Sequence, residues 1–225
     1  GSVAGEPPAE GTRQFSVRRG AVNLVGPSGY CIDTPSSSAR GGFAIFASCA
    51  VVSQASELPK IAGVLTAQVG DTDSAFVTGA EAELADLISS PEGAQTLSSA
   101  NDNRVKVGAT EAGAGVFFVQ ITEEGGNMLD GVQSTSWRAF LDLKGRAVTL
   151  SALSLTDNPM TEEQGLALLK EMVTCLRAAN VTSDASRPRT TRSRAARVRA
   201  RCRSGLDPTT TTTTSPTHSH ANANS

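Results

Sequence analysis

The chain has 225 residues, 39% of them hydrophobic, with a formal net charge of −2 and only two histidines. No apolar run approaches the roughly 20 residues that a membrane-spanning helix needs. The histidines, His218 and His220, stand near the C-terminus, far from any cysteine or serine they could activate in the globular part.

The charge is split. Residues 1–186 carry 12 Lys+Arg against 21 Asp+Glu, while residues 187–225 carry 8 Arg against one Asp. An acidic domain is therefore followed by a basic tail. Gly1-Ser2 reads as a cloning scar. The small, polar, Pro-rich "VAGEPPAEGTRQ" after it resembles the tether that follows a cleaved export signal, so residues 1–13 are expected to be a flexible tether and the mature protein periplasmic. Residues 14–182 are expected to form one domain, long enough for a real core.

In chain order, "AVNLV" at 21–25 alternates as a strand does, and "GPSG" turns the chain into "YCID". "FAIFASCAVVS" at 43–53 is the strongest early strand, and "GVLTAQV" at 63–69 is a third. The period then changes: Leu84, Leu87 and Ile88 recur at helical spacing, and Pro91 opens a second short helix. "RVKVGA" and "GVFFVQITE" predict two strands joined by a glycine-containing turn. "WRAFLDL" and "RAVTLSALS" predict a hairpin closed by Lys144-Gly145. A last helix runs over 161–179, with a capping box at Thr161 and Gln164 and an apolar stripe of Leu166, Leu169, Val173 and Leu176. Segregated strands and helices of this kind predict an α+β fold, an antiparallel sheet of about six or seven strands. One or two mid-chain helices and a C-terminal helix packed on one face complete it.

No structure is expected over 183–225. "RPRTTRSRAARVRARCR" holds eight arginines in 17 residues without an acid, and the Thr-rich end cannot bury enough surface to offset its ordering entropy. Arg187, Arg189, Arg192, Arg194, Arg197, Arg199, Arg201 and Arg203 are candidate phosphate contacts. A solvated tail and the product of a frameshifted GC-rich gene are the competing readings.

The cysteines allow three chemistries. A catalytic Cys31 would need a base, and zinc would need ligands in closer pairs than Cys31, Cys49 and Cys175 supply. A hairpin centred near Arg40 would instead set Cys31 opposite Cys49, within disulfide reach. That bridge is the favoured reading; two buried thiols are the alternative. Cys175, beside the apolar stripe of the last helix, reads as a small buried hydrophobe, with a bridge to Cys31 or Cys49 as the alternative. Cys202 has no expected intramolecular partner and, if oxidised, would link chains.

Other motifs read as structure. "GATEAGAG" at 108–115 lacks the lysine and hydroxyl of a phosphate loop and reads as a hairpin turn. Asp71 and Asp73 in "GDTDS" read as a turn rather than a calcium loop. Glu81, Glu83 and Asp86 read as the wet face of a helix. "NVT" at 180–182 matches a glycosylation acceptor. No cofactor and no metal site is expected.

Two stretches carry a resemblance. Pro27, Gly29, Tyr30, Cys31, Ile32 and Asp33, followed by Gly41, Gly42, Phe43, Ser48, Cys49 and Ala50, resemble a group of exported alphaproteobacterial proteins with no activity to transfer. The hairpin "WRAFLDLKGRAVTLSALS" and the helix after it are similar to PsbP/Mog1-like domains, which implies a mostly non-catalytic role in binding and assembly. The reading is thus a non-catalytic binding or assembly protein of the bacterial cell envelope, with its protein or small-molecule partner unidentified. The alternatives are nucleic-acid binding through 187–203 and a hydrolase whose nucleophile escapes recognition.

Overall fold

A computed structural model describes residues 11–53, 55–99, 104–125, 129–181 and 189–204. The chain opens with a hairpin, β1 (Gln14–Val17) and β2 (Val22–Val25), that forms a sheet of its own. Next come β3 (Tyr30–Ile32), β4 (Phe43–Ser48), a one-turn helix α1 (Cys49–Val52) and β5 (Val64–Val69). Helices α2 (Glu81–Ile88) and α3 (Pro91–Gln95) lead to four long strands, β6 (Arg104–Gly113), β7 (Val116–Glu124), β8 (Val132–Leu143) and β9 (Arg146–Leu155). Two helices close the described chain, α4 (Glu162–Ala179) and α5 (Arg189–Ser204).

The main sheet has seven antiparallel strands in the order β3-β4-β5-β9-β8-β7-β6. The expected α+β class and strand number hold. Alternation places Leu65, Trp137, Leu141 and Leu150 on one face, where they meet Leu169 and Met172 of α4 in the main core. Each fully buried leucine there contributes about 1.5–3 kcal/mol. The opposite face near β7 is covered by α2, α3 and Val77, which bury Phe117, Val119 and Ile121. β7 is therefore buried on both sides, which explains why "VFFV" reads as an unbroken apolar run.

The expected capping box is present: Thr161 Oγ1 accepts the Gln164 N–H at 3.1 Å and Gln164 Oε1 accepts the Thr161 N–H at 2.9 Å. Lys144 and Gly145 turn the β8–β9 hairpin with φ of 51° and 73°, the left-handed pair of a type I′ turn.

Several expectations are corrected. The segment 108–115 is mostly strand; only Ala114 and Gly115 make the turn, and Gly108 falls at a register shift between Val107 and Thr110. An exposed edge strand tolerates such a bulge. The strand over 43–53 stops at Ser48, where the chain enters α1. The 21–25 strand joins the small hairpin, which is tied to the end of α4: Asn180 accepts the Asn23 N–H at 2.8 Å and donates to the Asn23 carbonyl at 2.7 Å. Asn180 is buried with its amide so engaged, which closes it to glycan attachment.

The largest correction is α5. No structure is expected over 183–225, yet Arg189–Ser204 is helical. Arginine and alanine are good helix formers, but the seven arginines of α5 oppose an isolated helix. Tertiary contact offsets this: Val198 and Cys202, one turn apart, pack on Val25, Cys175 and Ala179. The remaining residues of the expected tail, and those of the N-terminal tether up to residue 10, lie outside the described residues. No described helix is long and apolar enough to cross a membrane.

Candidate functional site

"GPSGYCID" lines a recess through Pro27, Ser28 and Tyr30. Gly29 has φ of 82°, and a Cβ there would lie 2.5 Å from Pro59 Cα. Glycine at this point lets the loop after α1 lie directly on the turn before β3. Cys31 and Cys49 are bonded, with Cα atoms 4.8 Å apart. Cys49 opens α1, so the staple fixes that helical turn against β3.

Between α1, this loop and the chain leading into α4 lies a cleft of about 560 Å³. Val51, Leu58, Pro59, Leu155, Pro159 and Met160 give it apolar walls. Val51 and Leu58 are 77% and 72% exposed, so this side of the cleft opens to solvent. Ser48 Oγ is buried in the lining and has no hydrogen-bond partner among the described residues.

A second recess, of about 250 Å³, adjoins the first, and Lys60 and Ile61 line both. Its other walls include Tyr30, Leu168, Glu171 and Arg201. Tyr30 donates to the Ile61 carbonyl at 2.6 Å. Burial, and then the Glu171 carboxylate, push the phenol well above the usual tyrosine range, so Tyr30 stays neutral and serves as a fixed donor. Ser28 Oγ donates to the Arg201 carbonyl at 3.0 Å, which fastens α5 beside this recess.

A third cavity, of about 270 Å³, lies on the opposite sheet face beside Phe43, Ile45 and Leu153. At its edge Glu123, 1% exposed, pairs with Arg138 at 3.3 Å and accepts from Ser99 Oγ at 2.8 Å. Arg138 also donates to the Leu97 carbonyl. Burial pulls the Arg138 guanidinium down while Glu123 acts the other way. These bonds join the end of the α3 region to β7 and β8, a structural task.

Of the residues singled out in the sequence, Cys31 and Cys49 form the expected bridge by an unexpected route. Cys31 faces Ala47 in the ladder, so the bond to Cys49 is diagonal. Cys175 and Cys202 are bonded to each other, with Cα atoms 5.7 Å apart, and this replaces both the buried-thiol reading of Cys175 and the interchain reading of Cys202. Among the candidate phosphate contacts, Arg194, Arg197 and Arg201 are exposed on α5 and Arg199 is half-buried. Arg189, Arg192 and Arg203 lie on the same helix, and Arg187 lies outside the described residues. Asp71 and Asp73 stand in a turn, where Asp71 pairs with Arg18 at 3.2 Å. Among the described residues there is no group of three His, Cys, Asp or Glu able to hold a metal ion. Sequence reasoning missed Tyr30, Lys60 and Glu171, whose types and spacing give no sign that they meet.

No protein family matches this chain in sequence, and no curated protein does either. Among solved structures it is similar to a point mutant of the protein Mog1, at 12% identity and a TM-score of 0.42 over 77% of this chain and 96% of that one. It is also similar to the Ran-binding protein Mog1p of Saccharomyces cerevisiae, at 10% identity and 0.41 over 76% and 95% of the two chains. The solution structure of the cyanobacterial PsbP of Synechocystis gives 10% and 0.37 over 79% and 96%. At these scores the likeness is one of chain path, and no activity passes across it.

Proposed function

We propose that this chain is a non-catalytic binding domain of an oxidising compartment of the bacterial cell envelope, the periplasm, and that the apolar cleft is its ligand seat. The cleft itself carries the reading. Its volume of about 560 Å³ falls in the range of small-molecule sites, and its walls are apolar with a few polar groups at fixed places. The two disulfides support the compartment, because such bonds persist where thiols are not kept reduced. The test uses decyl maltoside, a neutral single-chain amphiphile, below its micelle concentration. Methyl resonances of Val51, Leu58 and Met160 shift together on titration, and Leu58→Asp abolishes the shifts while leaving the fold intact. Shifts scattered over the surface, or none at those methyls, refute the reading.

A second reading has its own observation: α5 presents Arg194, Arg197 and Arg201 to solvent. Such a cationic helix would bind nucleic-acid phosphates with a steep salt dependence. Duplex DNA binding that weakens with salt and is lost in an Arg194→Glu/Arg197→Glu variant would establish it; binding unaffected by the double change, or none at low salt, excludes it.

A further inference from the structure

β6 is the last strand of the main sheet: among the described residues its one strand neighbour is β7, which leaves the outer edge of all ten residues, Arg104–Gly113, open to pairing. The opposite edge is closed. There β3 has only three residues, and its Ile32 N–H donates to the Thr12 carbonyl at 2.8 Å. We infer that β6 pairs antiparallel with β6 of a second copy of this chain, about a two-fold axis at Gly108-Ala109, so that two sheets become one. The cleft and its ligand-seat reading play no part in this contact.

Register and charge select the second copy. Residues that face each other across an antiparallel pair must lie on the same face of the sheet. Lys106 and Glu111 are five residues apart, so plain alternation would put them on opposite faces. The bulge between Val107 and Thr110 adds one residue and brings both to the α4 face, opposite Thr122 and Phe118 of β7. Val107 and Thr110 share the other face, opposite Ile121 and Val119. With the axis at the bulge, Lys106 of each copy faces Glu111 of the other and Val107 faces Thr110, each pair occurring twice. Registers centred on Lys106 or on Glu111 would instead set like charges face to face, which is destabilising. The strand is thus its own complement, as a two-fold contact requires.

Both charges already have partners within the chain, Lys106 with Glu124 and Glu111 with Lys170. Their side chains are 72% and 46% exposed, and an ammonium with three donors and a carboxylate with two oxygens can each take a second partner. The crossing pair therefore extends a row of alternating sign that runs from Glu124 through Lys106 to Glu111 and Lys170 of the second copy. Lysines and bulges ordinarily isolate an edge strand. Here the bulge supplies the register and Glu111 answers the lysine, while Gly108 and Ala109 put only a hydrogen and a methyl at the axis.

Sedimentation equilibrium of the oxidised full chain, up to about 1 mM, is expected to show the mass rise from 23.1 kDa towards twice that value. Lys106→Glu and Glu111→Lys are each expected to weaken self-association at least about tenfold, because each sets like charges opposite one another twice. Mixed in equal amounts, the two variants are expected to associate again, since both crossing pairs of the mixed dimer are opposite in sign. Circular dichroism confirms that each variant is folded. A monomer at every concentration overturns the inference and leaves the edge to a strand of another protein. A dimer indifferent to both substitutions overturns it by placing the contact elsewhere. Variants that stay apart on mixing overturn the register and the inference with it.

Discussion

Cys31 lies opposite Ala47 in the β3–β4 ladder, and its sulfur bonds to Cys49, two residues beyond that partner. The staple therefore joins a strand to the first residue of a helix and sets where α1 turns away from the sheet. Val51, on that helix, follows from it as a wall of the apolar cleft.

Replacing both residues, Cys31→Ala/Cys49→Ala, is expected to lower stability by about 3 kcal/mol, the chain-entropy value for a loop of this length. Urea denaturation measures it. Decyl maltoside binding should weaken in the same variant, because α1 loses its anchor.

Gly165 stands where α4 meets the single tryptophan. A Cβ at this position would lie 2.8 Å from Trp137 Cδ1, and an indole ring in a packed core has no free end to swing away. Gly165→Ala, helix-favouring by propensity, is expected to destabilise by about 1–3 kcal/mol through overpacking. Thermal unfolding reads the loss, and Trp137 emission reports the displaced ring.

The carboxylate of Asp142 accepts the backbone N–H groups of Phe76, Val77 and Thr78 at 2.9, 2.9 and 2.7 Å. Burial pushes its pKa up, but the hydrogen bonds from Thr78, Phe76 and Val77 together outweigh burial and hold it below the usual aspartate range. A depressed folded value means that the stabilisation is complete above the unfolded pKa of about 3.9 and is lost as pH falls through the folded one. Stability measured by urea at descending pH should fall more steeply below about pH 4 in the native protein than in Asp142→Asn.

The bridge Cys175–Cys202 anchors α5, and with it Arg201, to α4. Cys175→Ala/Cys202→Ala is expected to lower stability by about 3–4 kcal/mol, the chain-entropy value for a loop of this length, and to release α5. Urea denaturation reads the loss, and helical circular dichroism reads the release of α5.

Local signals made much of the fold legible. Period-two alternation marks β8 and β9, the Lys144-Gly145 dipeptide their turn, and Thr161 with Gln164 the start of α4. These features are written within a few residues of where they act. Register was less legible, because it depends on turn geometry: the sequence places Cys49 opposite Cys31, whereas the 3-10 turn and loop between β3 and β4 shift the ladder by two residues. Helix α5 was hidden for another reason. Its composition alone describes a solvated cationic segment, and its order comes from Val198 and Cys202 meeting residues far back in the chain. The spacing of those two residues by one helical turn was the available sign. The recess beside Tyr30 was least legible, since Tyr30, Lys60, Leu168 and Arg201 are separate in sequence and meet only through the fold.

Disulfides hold a wall of each recess, Cys31–Cys49 fixing α1 and Cys175–Cys202 fixing α5. The most direct test is a non-reducing peptide map of the purified protein after alkylation of free thiols. The account predicts two linked peptide pairs, 31 with 49 and 175 with 202, and no alkylated cysteine. Fast-alkylating Cys31 or Cys202, or any other pairing, would contradict it.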